Sequence, residues 1–378
     1  MAELSTLQST WLHLLICALN GKQPDKEQLM KTNPQELYQL ADAHSMLSIT
    51  AFALNLIGVW EPHFEQAKTK ALRKLALFDI ERENIYRELN QAGIWFCPLK
   101  GIILKDDYPL FGMREMTDND ILCDPLRMAD IKAVMENLGY ECTSYNEWHH
   151  DTYAKSPCLE FEMHHSLFKD EQMPLFTEYY ADIFDKLIPA ENAEYRFTDE
   201  DFYIYMLAHE YKHFSHFGTG MRSLTDVYVF LKTHPDLDWE YLETELSKLK
   251  LTEFEQHSRE LANKVFTNTT LTEDETEQLL HFYLDSSLYG SIENGEYNNL
   301  TRTLDGEDNK KVKAKYFLNR FFISGKVLEK NYPFFYRHKY LLPFLYVYRP
   351  FKGLITHPKG IIHDTKKVVK YKSPKHRY

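Results

Sequence analysis

Two aspartates, Asp118 and Asp120, stand one residue apart in the run Thr117-Asp118-Asn119-Asp120-Ile121-Leu122. On an extended strand, residues i and i+2 point to the same face, so the two carboxylates would project side by side. Carboxylates that close repel one another unless a cation lies between them. A hard divalent ion such as Mg²⁺, which takes oxygen ligands and shares them with phosphates, suits that place. In isolation the pattern also fits a solvated turn. Downstream, Leu159-Glu160-Phe161-Glu162-Met163-His164 alternates acidic and apolar residues, which puts Glu160, Glu162 and His164 on one face and Phe161 and Met163 on the other. A neighbouring strand of this kind can bring a third carboxylate to the aspartates. Three carboxylates on adjacent strands build a two-metal site, able to orient an attacking hydroxyl and neutralise a departing phosphate. Upstream, Lys100-Gly101 falls at a strand-to-helix turn, where backbone N–H groups can approach a phosphate, and Lys100 and Arg114 add positive charge.

The elements that must position these groups can be read from periodicity. Residues 94–99 form a short apolar run of strand character, 102–108 a short helix ending before Pro109, and 120–123 a second strand. Residues 125–138 read as an amphipathic helix closed by Gly139. Two further strand candidates, around 146–154 and 158–168, flank Ser156-Pro157 and can pair as a hairpin. This small α/β unit lies between helical regions. On the N-terminal side, Asn33-Pro34 marks a helix start and residues 62–92 form a long charged helix with Leu72, Leu75, Phe78, Ile85 and Leu89 as its apolar positions. From about residue 172 the pattern is helical again. No internal repeat interrupts the chain.

The 378 residues carry 44 basic and 56 acidic side chains, a formal net charge of −12. A basic coat for gripping long nucleic acid is therefore not expected. The charge is uneven, however. Residues 331–378 hold 11 Lys and Arg against the single acid Asp364, so the body carries −22 and the end +10. The aromatic part of that end, 332–351, is expected to pack on the rest, whereas the final dozen residues are a candidate tail for an anionic membrane surface or another polyanion. Five scattered cysteines without CxxC spacing suit reduced thiols in a cytoplasmic protein. No signal peptide or membrane-spanning run is read.

The ordered set Leu99-Lys100-Gly101, Leu104, Tyr108-Pro109, Arg114, Asp118-Asn119-Asp120-Ile121-Leu122 and Glu162-Met163-His164 resembles the bacterial uncharacterised nucleotidyltransferase family, within the DNA-polymerase-beta-like nucleotidyltransferase superfamily. His209, His213, Gly220-Met221-Arg222 and Asp226 continue the pattern, as do Tyr340-Leu341-Leu342-Pro343 and Arg349, so the resemblance runs from about 90 to 355. It implies an α+β fold, with a small mixed-sheet nucleotidyltransferase core (91–170) between an N-terminal helical domain (1–90) and a C-terminal one (171–355), followed by a basic tail (356–378). It implies that Asp118, Asp120 and Glu162 are the catalytic, metal-binding carboxylates for Mg²⁺ or Mn²⁺, with Glu162 available as general base. Lys100, Gly101, Arg114, Arg222 and Asp226 would bind the nucleotide, an NTP such as ATP. Lys100-Gly101 departs from the Gly-Gly or Gly-Ser turn usual at that place, and Asn119 stands where an apolar residue is usual. The implied reaction moves a nucleoside monophosphate to a hydroxyl or phosphate acceptor, a small molecule, peptide or protein.

Two other function classes stay open at this stage. One is a module that binds nucleotide or a partner on the same fold without catalysis. The other is a zinc hydrolase, because His209-Glu210-Tyr211-Lys212-His213 matches the HExxH pattern, with His216 one turn further on. The bland reading of those histidines is a helix lining a cleft. For Arg222 and Asp226, four apart on a helix, the bland reading is an ordinary intrahelical ion pair.

Overall fold

The computed structural model describes residues 4–169, 173–216, 218–267, 275–286, 328 and 332–346. Four N-terminal helices come first: α1 (Thr6–Asn20), α2 (Lys26–Leu29), α3 (Pro34–Ala43) and α4 (Leu47–Leu56). Their starts are locally encoded. Ser5 and Gln8 form a capping box on α1, and the Asn33 side chain accepts from Gln35 N ahead of Pro34 in α3. The long α5 (Pro62–Ala92) ends at Gly93, whose φ of 63° is the left-handed conformation a helix C-terminus favours in glycine.

The central sheet has five strands: β1 (Phe96–Pro98), β2 (Asn119–Cys123), β3 (Glu141–Ser144), β4 (His150–Lys155) and β5 (Leu159–His164). Their spatial order is β1-β2-β5-β4-β3. β2 and β5 run parallel and the other neighbours are antiparallel, so the sheet is mixed. Between strands lie the one-turn helix α6 (Gly101–Leu104) and α7 (Met128–Asn137). The expected 146–154 and 158–168 hairpin is formed by β4 and β5, while β3 adds an edge strand that the sequence reading did not contain.

Alternation along β2 and β5 divides their side chains between two cores. Ile121, Cys123, Leu159, Phe161 and Met163 pack with Phe78, Ile85 and Leu89 of α5 and Ile131 and Met135 of α7. Phe161 meets Phe78 edge to face at 5.7 Å, a contact worth about 1 kcal/mol beyond the area it buries. Asp120, Leu122, Glu160, Glu162 and His164 occupy the alternate positions. Leu122, with Cys97 and Leu99, joins the larger core, which α1 and α4 share with α9 (Asp199–His216), α10 (Met221–Thr233), α12 (Thr252–Phe266) and α13 (Glu275–Asp285). Also among the described residues are α8 (Pro174–Tyr179), a 3₁₀ turn at Ile183–Lys186 and α11 (Trp239–Lys248). The expectation that everything beyond 172 is helical is corrected at one point. β6 (Leu187–Pro189) and β7 (Tyr195–Phe197) form a two-stranded antiparallel ribbon, read as helical because a three-residue strand carries no measurable period.

A second unit contributes, among the described residues, a short helix at Pro333–Arg337 and a 3₁₀ turn at Lys339–Leu341. Arg349 and the basic 356–378 segment lie outside the described residues. Among the described residues no helix is long and apolar enough to cross a membrane.

Candidate functional site

The parallel pairing of β2 with β5 sets Asp120 opposite Glu162 and Leu122 opposite His164. Asp118, one residue ahead of β2, completes the acidic face. One carboxylate oxygen from each of Asp118, Glu160 and Glu162 lies within 4.8 Å of the other two, and the same holds for Asp120, Glu162 and a ring nitrogen of His164. Glu162 therefore belongs to two adjoining clusters, one of oxygen donors only and one that includes nitrogen. Glu160, set aside in the sequence reading in favour of Glu162, shares the oxygen cluster. Asn119 is fully buried on the opposite face, where its Oδ1 accepts from Arg82 Nη1 of α5 at 2.6 Å. A polar residue between the aspartates is thus compatible with the strand because α5 supplies its partner.

The two aspartates titrate in opposite directions. Burial raises the Asp118 carboxyl, and the charges of Asp120 and Glu162 add to that against the pull of Lys100. For Asp120, burial is outweighed by Lys100 and His164, which hold it well below the usual carboxylate range. Lys100 Nζ stands 2.6 Å and His164 Nε2 2.9 Å from the same atom, Asp120 Oδ1. That leaves Oδ2 outside both contacts.

Lys100 reaches this position through an unusual backbone. Its φ of 45° and ψ of −119°, with Ile102 N donating to Leu99 O at 3.1 Å, make it the second residue of a type II′ turn, a place where glycine is normal. A lysine there stores about 1–3 kcal/mol of strain. Gly101 follows because no side chain fits: a Cβ would run into the Arg114 guanidinium, with Cζ at 3.3 Å. Arg114 is held in place by a bidentate pair with Asp226, Nε to Oδ1 and Nη2 to Oδ2 both at 2.9 Å, while the Tyr108 hydroxyl donates to Asp226 Oδ1 at 2.7 Å. Arg114 and Asp226 are 8% and 6% exposed. The third guanidinium nitrogen of Arg114, Nη1, is the one nearest Gly101.

The intrahelical Arg222–Asp226 pair read from i, i+4 spacing is thereby corrected. Asp226 turns to Arg114 and Tyr108, because a planar guanidinium matches both carboxylate oxygens at once. Arg222 makes no hydrogen bond or ion pair among the described residues. Burial and the nearby Arg114 lower its pKa, opposed by Asp226 and Asp118. It is therefore a cation held near the acidic face and left without an anionic partner of its own.

α9 backs the site. The charges of Lys100 and Asp120 reach His209, and those of Asp120 and Glu162 reach Tyr205. His209 and His213 face each other with Nε2 atoms 3.2 Å apart. Glu210 does not join them: it is 5% exposed, accepts from the Tyr283 hydroxyl of α13 at 2.6 Å, and burial pushes its carboxyl up to about 7. No group of three metal-ligating side chains among the described residues includes His209 or His213. The HExxH arrangement therefore lacks the water-activating glutamate that zinc hydrolysis requires.

One cluster escaped the sequence reading altogether. His149 and His150 adjoin His164, and one ring nitrogen of each of the three lies within 4.8 Å of the others. The register of β4 against β5 sets His150 opposite His164. A His-His step entering a strand that pairs with an acidic strand was the available signal. Burial, with the neighbouring His164, Lys212 and His150, pushes His149 down to about 2, so its imidazole is neutral at physiological pH.

A family model described as uncharacterised nucleotidyltransferase matches residues 30–267, a span that contains the whole sheet, the acidic face, Lys100 and the α9–α10 pair. No curated protein and no solved structure matches the chain.

Proposed function

The chain belongs to the uncharacterised nucleotidyltransferase family, whose general role is nucleotidyl transfer, and from that premise we propose a Mg²⁺-dependent enzyme that moves an NMP group from an NTP to a hydroxyl or phosphate acceptor. The observation that carries this reading is the convergence of Asp118, Glu160 and Glu162 within 4.8 Å, with Asp120 and Glu162 in register beside them. The donor set fits a hard divalent ion: it is all oxygen, and burial together with the charges of Asp120 and Glu162 raises Asp118 against the opposing pull of Lys100 and Arg222. When bound, Mg²⁺ would neutralise charge on the transferred phosphoryl group and align it with the acceptor.

The chain's own groups would do the rest. Asp118, Asp120 and Glu162 hold the metal, and Glu160 completes the oxygen pocket. Glu162 takes the acceptor's proton as the acceptor oxygen bonds to the α-phosphorus. The bond to the bridging oxygen breaks, and pyrophosphate leaves. Lys100 and Arg114 Nη1 at the Gly101 turn, with Arg222 near Arg114 and Asp118, would be the cations for the triphosphate, and Asp226 holds Arg114 in position. The acidic body favours an acceptor of small-molecule or peptide size, including a protein side chain. Contact of the basic 356–378 segment with a polyanion or an anionic membrane surface, and a cytoplasmic setting, belong to the same proposal.

Purified protein incubated with each NTP and Mg²⁺ or Mn²⁺ should bind nucleotide, and D118N/D120N should lose binding or pyrophosphate release while keeping the wild-type circular dichroism spectrum at about 25 °C, with a lower melting temperature because D120N removes the ion pair with Lys100. Wild-type protein that binds no NTP with either metal would refute the reading. A second reading, nucleotide binding without transfer, is favoured by Lys100, which already neutralises Asp120 from a strained turn. Saturable NTP binding without pyrophosphate release from any acceptor mixture would support it.

A further inference from the structure

Beside the carboxylates, three imidazoles share an arrangement that the transfer reading does not use. His164 is 1% exposed, and its Nε2 lies 2.9 Å from Asp120 Oδ1 while its Nδ1 is buried without a hydrogen-bond partner. His150 repeats the pattern: Nε2 stands 3.4 Å from Glu162 Oε1, and Nδ1 is again buried and unpartnered. The two rings face each other across β4 and β5 with centroids 4.9 Å apart, and His149 lies 4.8 Å from His150 and 5.3 Å from His164. The His149 ring makes no hydrogen bond among the described residues, although its carbonyl accepts from His165 N at 3.1 Å.

A buried polar atom left unpaired costs about 1–3 kcal/mol, so two on facing rings call for a reason. A neutral imidazole whose Nε2–H points at a carboxylate presents a lone pair at Nδ1. That lone pair can accept a proton or bind a metal. An imidazole oriented by a carboxylate on its far nitrogen is the usual second-shell pattern of histidine ligands. Here His164 carries it through its 2.9 Å hydrogen bond to Asp120, and His150 Nε2 lies beside Glu162 at 3.4 Å without a hydrogen bond to it.

We propose that His149, His150 and His164 form a binding site for a nitrogen-preferring first-row divalent cation, represented by Zn²⁺, adjoining the oxygen pocket and separate from it. Three imidazole nitrogens with one open coordination position make a recognised zinc donor set, and imidazole selects Zn²⁺, Co²⁺ or Ni²⁺ over Mg²⁺. In tetrahedral coordination with bonds of about 2.0–2.1 Å, ligand nitrogens stand about 3.3 Å apart. Small rotations about the His149 and His150 side-chain bonds would draw the nitrogens together from within 4.8 Å. Asp120 and Glu162 supply negative charge from behind the rings. The site and the oxygen pocket are thus joined through shared carboxylates, yet differ in donor chemistry.

The test uses the full chain, stripped with chelator and titrated with Co²⁺ in the absence of nucleotide. One equivalent should bind with the visible d–d bands of tetrahedral nitrogen coordination, displaced by Zn²⁺ and not by excess Mg²⁺. H149A/H150A should lose the bands and weaken binding by about 100-fold or more, whereas D118N/E160Q, which alters the oxygen pocket only, should keep them. Bands retained in H149A/H150A, or lost equally in D118N/E160Q, would overturn the proposal, as would six-coordinate Co²⁺ in the wild type. Thermal melting establishes that each variant folds, and H149Q alone replaces the double variant if it does not. Because no nucleotide is present, the outcome is independent of nucleotidyl transfer, which is read by Mg²⁺-dependent NTP binding.

Discussion

The pairing of Arg114 with Asp226, and the isolation of Arg222, divide three residues that the sequence treated alike. Asp226→Asn removes the charge that compensates a guanidinium 8% exposed, spoils the two 2.9 Å contacts, and leaves Arg222 with Asp118 but without Asp226 to offset it. Breaking a buried pair from one side destabilises by about 3–5 kcal/mol. In a unit of this size that is a fall of about 6–20 °C in melting temperature. Arg114→Met with Asp226→Leu removes both charges and should recover most of the loss. The remainder, about 1–3 kcal/mol, comes from the Tyr108 hydroxyl, which loses the acceptor it holds at 2.7 Å. A double-mutant cycle should then give a coupling of at least about 2 kcal/mol. Arg222→Met breaks no ion pair and should leave stability within about 0.5 kcal/mol of wild type, or raise it. It should nonetheless weaken Mg²⁺-NTP binding by about 10- to 150-fold, the loss of one charge-assisted hydrogen bond of about 1.5–3 kcal/mol. Calorimetric melting and isothermal titration with a non-hydrolysable NTP measure the two quantities separately. A coupling near zero, or unchanged nucleotide affinity in Arg222→Met, would refute the division of roles.

Three further outcomes follow from the geometry. Glu210 carries a folded value of about 7 against an ordinary 4.5, so the native state holds its proton more tightly. Its stabilising contribution is therefore full below 4.5 and disappears as pH rises to about 7, a loss of about 3 kcal/mol. Glu210→Gln should flatten the denaturant-derived stability profile across that window, and an unchanged slope would count against the assignment. Gly101→Ala should lower stability by about 1–3 kcal/mol in thermal melts, because its Cβ meets a guanidinium that Asp226 prevents from moving away. Wild-type stability in that variant would mean Arg114 is not held. Lys100→Gly relieves the strained turn and removes a positive charge next to Asp120, so Mn²⁺ binding measured by electron paramagnetic resonance without nucleotide should tighten by about tenfold or more. Equal or weaker Mn²⁺ affinity would contradict it.

How much of this was legible in the chain differs from element to element. The limits of α5, the cap at Asn33 and the alternation of β5 depend on neighbours within one or two turns, and each was readable because the cause lies in the same stretch of sequence. The ribbon β6–β7 and the edge strand β3 were not, since three or four residues of strand character have too short a period to register. Asn119 looked misplaced in the sequence and is ordinary in the fold, because its partner Arg82 comes from a helix 37 residues away. The i, i+4 spacing of Arg222 and Asp226 pointed to a local pair, and a bidentate contact spanning 112 residues took its place.

By itself, the sequence determined the donor types and the face each would occupy: carboxylates at 118 and 120, acids alternating with apolar residues at 160–163, glycine at 101. Those follow from strand periodicity and side-chain chemistry, which are local. Tertiary structure alone decided which donors meet. Strand register set Glu162 beside Asp120 and His150 beside His164, so that one cluster is oxygen and the next contains nitrogen. Register depends on how β4 and β5 pack over α5 and α7, and a slip of a single residue would have sent every one of these side chains to the opposite face.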